Sequence, residues 1–178
     1  MAATFLVFGD LHGKILPAFR LAAAWSADHA VPLTGLLQVG DLGYFPDPAR
    51  IDRATLRHAK TDPLELGTFD VVHRTPLADA VFSEPHAAPG LWFTAGNHED
   101  FAALDHFASG SGRGPDFAVD AYDRIRAIKD GRVADFPGGP RVGAVWGVDD
   151  AGRRARQNLP PRGYIAGKAV DRLLHESG

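Results

Sequence analysis

Three short blocks of this sequence carry side chains able to hold a divalent ion and act on a phosphate. They are Asp10 with His12, Asp41, and Asn97 with His98. Each block follows an apolar run and a glycine: Gly9-Asp10-Leu11-His12-Gly13, Gly40-Asp41-Leu42-Gly43 and Gly96-Asn97-His98-Glu99. Hard oxygen donors combined with imidazole suit Mn²⁺, Fe²⁺ or Zn²⁺. Asp10 and His12, two apart on a turn, can grip one ion together. A carboxylate such as Asp41 can bridge two ions about 3.5–4 Å apart, and Asn97 adds a neutral carbonyl oxygen. Such ions clamp a phosphate and turn a bridging water into hydroxide near neutral pH. His98 is then placed to protonate the leaving alkoxide or to stabilise transition-state charge. Taken singly, each block also has an ordinary reading. Asp10 and His12 make a strand-end turn, Asp41 a turn or helix cap, and Asn97 the cap of a helix. Their recurrence in order, each after an apolar strand and a glycine, favours the metal site.

The elements that must position these residues are legible from hydrophobic patterning. Residues 4–8, Gly35–Val39 and Leu91–Thr94 read as short buried strands. Residues 14–28 read as a helix with Ile15, Leu16, Phe19, Ala22 and Ala23 on one face, which makes a βαβ unit with the first two strands. Parallel strands present their C-terminal loops along one sheet edge, so the three blocks should converge. Residues 46–89, broken by prolines, read as a cap or crossover with helices around 49–60 and Pro76–Phe82. A helix is expected over 99–107 and a Gly/Ser loop over 109–115. Two strands, 125–129 and 132–136, flank Asp130-Gly131 as a hairpin. A further strand over 141–148, an Arg-rich loop over 149–163 and a helix over 165–175 complete a single α/β domain spanning 1–178.

Composition narrows the function classes. The chain has 178 residues, 45% hydrophobic and 23% charged, which is ordinary globular usage. Its net charge of -3 gives no general field for nucleic acid or an anionic membrane, although a bound metal can supply local positive charge to a phosphorylated substrate. There is no cysteine, so disulfides and thiolate catalysis are excluded and any metal must use His, Asp, Asn or Glu. That usage is compatible with a cytoplasmic protein. No apolar run is long enough to span a bilayer.

The series GDLHG, GDLGYF and GNHED resembles the calcineurin-like metallophosphoesterases, whose pattern runs D-x-H, G-D, G-N-H-[DE], a lone His and G-H-x-H. The resemblance implies an αββα sandwich and hydrolysis of a phosphomonoester or phosphodiester, with a phosphorylated small molecule or nucleotide as substrate. It also implies that Asp10, His12 and Asp41 hold a first metal and that Asp41 and Asn97 hold a second. His98 would be catalytic, with Glu99 orienting it. The later motifs do not match: only His106 and His175 follow His98, and no G-H-x-H occurs. The expectation is therefore a C-terminally incomplete fold with a weak or empty second metal position and exposed apolar surface. The alternatives are a catalytically inactive binding or regulatory protein and a site completed by another subunit. Arg153, Arg154 and Arg156 are candidates for substrate phosphate or for a solvated loop. Tyr44 and Phe45 are candidates for the cleft wall. His58, His73 and His86 are expected at the surface, with one of them a candidate to reach the cleft.

Overall fold

The computed structural model describes residues 3–136, 138–149 and 163–177. The Arg-rich stretch with Arg153, Arg154 and Arg156 lies outside the described residues. A five-stranded sheet organises the chain in the order β1 (Phe5–Phe8), β2 (Gly35–Val39), β3 (Leu91–Thr94), β5 (Ile125–Ile128), β4 (Asp116–Ala118). The first four run parallel, and β4 closes the far edge antiparallel to β5. Helix α1 (Ile15–His29) crosses between β1 and β2 and buries Ile15, Leu16, Phe19 and Ala22 against one face of the sheet. That face holds the main core, with Leu36, Leu91, Phe93, Ile125 and Ala127 alternating inward from three strands.

The segment between β2 and β3 is more broken than its sequence suggests. The helix expected over 49–60 is a 3₁₀ turn (Pro48–Arg50) followed by α2 (Arg53–His58), which Asp52 caps. A second 3₁₀ turn (Pro63–Leu66), α3 (Phe69–Val72) and α4 (Pro76–Phe82) complete it. Pro48, Pro63 and Pro76 each open their element, where the missing N–H costs nothing. Helix α4 packs on α1 through the Phe19–Phe82 ring contact at 4.9 Å. After β3 comes α5 (Phe101–Gly110), two residues later than expected because Asp100, not Asn97, caps it.

The hairpin expected around Asp130-Gly131 does not form. Both edges of β5 are taken, by β3 and β4, so the chain turns at Asp130-Gly131 and leaves the sheet. Strand β6 (Arg132–Asp135) pairs instead with β7 (Arg141–Ala144) across the turn at 136–140, making a separate two-stranded sheet on which α6 (Gly167–Ser177) packs. Phe136 carries this small sheet onto the main one, edge-on to Phe5 and Trp92 at 5.0 Å each. Beyond that contact the same face stays open, with Val7 62% and Val39 61% exposed. No helix among the described residues is long and apolar enough to cross a membrane.

Candidate metal centre

The parallel register brings the C-terminal ends of β1, β2 and β3 side by side, and the turns after them continue the pairing. The Asp10 N–H donates to Gly40 O at 3.1 Å, the His12 N–H to Asp41 O at 3.0 Å and the Gly13 N–H to Leu42 O at 2.7 Å. The first two blocks are therefore locked together by main chain before any side chain acts. Gly13 and Gly43 make this possible. A Cβ at Gly43 would sit 2.7 Å from Gly13 N, and a Cβ at Gly13 would strike the Glu65 carbonyl.

The third block is locked to the second by a side chain. Asp41 Oδ1 accepts the N–H of Asn97 at 2.7 Å and that of His98 at 2.9 Å. Gly96 leaves room for this carboxylate, since a Cβ there would collide with Asp41 Oδ1. Among the described residues Oδ2 takes no protein donor, which leaves one carboxylate oxygen open to a cation.

Potential ligand atoms of Asp10, His12 and Asp41 lie within 4.8 Å of one another, and among the described residues they form the one such group of three. All three have left-handed backbone, with φ of 49°, 44° and 56°. Among the described residues only three other non-glycine residues share a positive φ. That conformation costs an L-residue of order 1 kcal/mol or more, and such costs concentrate where the geometry serves a function. Two carboxylates and an imidazole within one ion's reach fit a borderline divalent cation. Asn97 stands half-buried on the same edge, fixed through its main chain.

His98 lies beside this group, its ring centroid 5.4 Å from that of His12. Its partner is Asp52 and not Glu99. His98 Nδ1 and Asp52 Oδ2 are 2.9 Å apart, while Asp52 Oδ1 accepts the Thr55 N–H at 2.7 Å and so caps α2. Burial pushes the Asp52 carboxyl up, but the bonds from His98 and Thr55 outweigh it and hold the group at about 2. Asp52 is therefore ionised, Nδ1 carries the shared proton, and Nε2 is the nitrogen left for chemistry. The same bond raises the His98 imidazolium above its ordinary range, against burial and with help from Asp41.

Glu99, expected to orient His98, does something else. It is 5% exposed, and its carboxylate accepts the Leu42 N–H at 2.7 Å and the Tyr44 N–H at 2.6 Å. It braces the chain just after Asp41. Burial raises it to about 8, against the backbone donors that pull it down. Tyr44 is core and not cleft wall: it is 1% exposed, with its hydroxyl donating to Val119 O at 2.7 Å. Phe45 is likewise buried. His73, His86, His106 and His175 are exposed.

Asp52 is the functional candidate that sequence reasoning missed. Its one local signal, Asp52 three residues before Thr55, marks a helix cap and says nothing of His98. Two cavities flank the cluster. One, of about 300 Å³, runs from His12 and His98 along α2 past Thr55, Arg57 and His58 to Glu65. The other, of about 200 Å³, is lined by Asp10, Asp41 and Gly96 together with Val39, Val145 and Val148. No protein-family model, curated protein or solved structure matches this chain.

Proposed function

We propose that the chain is a metal-dependent phosphoesterase, hydrolysing a phosphomonoester or phosphodiester of a small molecule or nucleotide. The observation that carries the reading is the convergence of Asp10, His12 and Asp41, all with left-handed backbone, beside a histidine bonded to a carboxylate. The finer fold assignment, a calcineurin-like sandwich, belongs to the same proposal and is supported by the order of the three motifs on successive parallel strand ends.

Asp10, His12 and Asp41 would hold a divalent ion such as Mn²⁺, Fe²⁺ or Zn²⁺, with Asn97 beside them for a second. Bound there, the ion supplies Lewis-acid neutralisation of phosphate charge and acidifies water. The protein's own contribution is positional and protonic. Asp41 is fixed by two main-chain donors, so its remaining oxygen is preorganised. Asp52 holds His98 charged and aligned, and His98 delivers the Nε2 proton to the departing alkoxide. The test is Mn²⁺-dependent hydrolysis of an aryl phosphate ester by the purified chain. Loss of turnover in both Asp41→Ala and His98→Ala supports the reading, and turnover indifferent to both substitutions rejects it.

A second reading, a binding or regulatory protein without turnover, is favoured by one observation: the described residues offer one three-ligand group. It predicts at most one ion per chain and negligible hydrolysis. Two ions bound tightly per monomer in a metal analysis rule it out.

A further inference from the structure

The 300 Å³ cavity along α2 is lined in part by His98, the group that protonates the leaving oxygen in the reading above, and this inference rests on that reading. A cavity that His98 lines offers room for whatever is bonded to that oxygen. Its lining away from His12 and His98 then reads the leaving group.

Its charges balance unevenly. Glu65 shares Lys14 with Asp62, the Nζ lying 3.2 Å from Glu65 Oε1 and 3.0 Å from Asp62 Oδ2. Asp52 is neutralised by His98 at 2.9 Å. Arg57 lines the same cavity, and among the described residues its guanidinium takes no ion pair or side-chain hydrogen bond. His58 stands next to it, its ring equally uncommitted. The lining thus holds one acid, Glu65, already in a salt bridge, and one arginine that is in none among the described residues. Ala54 and the buried Thr55 give the rest of the wall no further charge.

We infer that the cavity selects phosphoesters whose leaving group carries a second anion, a carboxylate or another phosphate, received by Arg57 with His58 beside it. Guanidinium is suited to both groups because its fork of donors matches their paired oxygens. The volume lies at the small end of ligand pockets and suits a ring or sugar with one anionic substituent, not a polymer.

The experiment compares matched substrates on the Mn²⁺-loaded full chain: phenyl phosphate and its 4-carboxymethyl derivative. The anionic member should show a kcat/KM higher by about tenfold or more, the scale of one charge-assisted hydrogen bond. That ratio should collapse towards one in Arg57→Gln and be only partly kept in Arg57→Lys, which retains the charge without the fork. Arg57 is exposed, so both variants should fold, which a thermal melt verifies. The same comparison is run as equilibrium binding of phenylphosphonate and its 4-carboxymethyl derivative, which needs no turnover. A wild-type preference of one or less, or a preference that survives Arg57→Gln, overturns the inference. If neither ester is hydrolysed yet phosphonate binding keeps the Arg57-dependent preference, the phosphoesterase reading fails and the anion site stands. If both esters are hydrolysed equally well, the site fails and the phosphoesterase reading stands.

Discussion

Replacing Asp52 by Asn separates its two roles, because its two oxygens do different work. Oδ1 caps α2 through Thr55 and Oδ2 holds His98. Asparagine caps a helix about as well as aspartate, so its amide oxygen should keep Thr55 and the fold should lose only a few tenths of a kcal/mol. The amide nitrogen then faces His98 Nδ1. It is a donor, so it forces Nδ1 to accept, reverses the tautomer and removes the negative charge that favours imidazolium. The His98 imidazolium, raised mainly by this bond, should fall back towards its ordinary range or below. At pH above 7 each unit of that fall removes about tenfold of the protonated acid. The expected loss in kcat is roughly 10–100-fold, the usual cost of removing a carboxylate that orients a working histidine. Metal stoichiometry and the melting temperature should hardly change. The assay is a pH–rate profile of Mn²⁺-dependent aryl phosphate hydrolysis, in which the basic limb should move to lower pH in Asp52→Asn. A profile that coincides with wild type, or a drop in kcat equal at every pH, would refute the proton-donor role of the pair.

Asp10→Gly should abolish metal binding in a calorimetric titration while raising the metal-free melting temperature. Glycine relieves the left-handed conformation at φ 49°, worth about 0.5–1 kcal/mol after its own entropy cost, or about 1–4 °C. Gly96→Ala places a methyl group against Asp41 Oδ1, so it should destabilise by about 1–3 kcal/mol in urea and weaken Mn²⁺ binding by tenfold or more. The pH dependence of stability should show Asp100. Burial raises this carboxyl, but Arg50 and the α5 main chain lower it on balance, with Arg50 Nε and a terminal nitrogen at 2.6 and 2.8 Å from its oxygens. A depressed carboxyl stabilises above its unfolded value, near 3.8, and loses that contribution as pH falls through the folded value. The urea midpoint of wild type should exceed that of Arg50→Met near pH 6, and the two should converge towards pH 2.

The three core strands were legible because each is a short apolar run stopped by glycine, and the parallel rule alone gathers their ends. Asp10, His12 and Asp41 came together for that reason, and His98 came with them. The positions that were not legible depend on contacts remote in sequence. Asp52 reaches His98 only because the Asp52 cap and the 3₁₀ turn before it aim the start of α2 at β3. Glu99 is adjacent to His98 in the chain, yet the turn sends neighbouring side chains opposite ways, so adjacency misled. Strand β4, only three residues long, has too little pattern to read. The Asp130-Gly131 turn has hairpin chemistry, but local turn preference cannot register that both edges of β5 are already taken.

The wall of the α2 cavity is stitched to the ligand turns rather than hinged on them. The Thr68 hydroxyl donates to Gly43 O at 2.8 Å, and Lys14 reaches across to Asp62 and Glu65. Gly67 lies so close to the Gly13 carbonyl that any side chain there would strike it. A wall fastened at so many points does not swing aside to admit a molecule. The cavity instead meets solvent at the exposed Arg57 and His58, which form part of its lining. Encounter and exit then need no movement of this wall, so approach to steady state should show no lag arising from it.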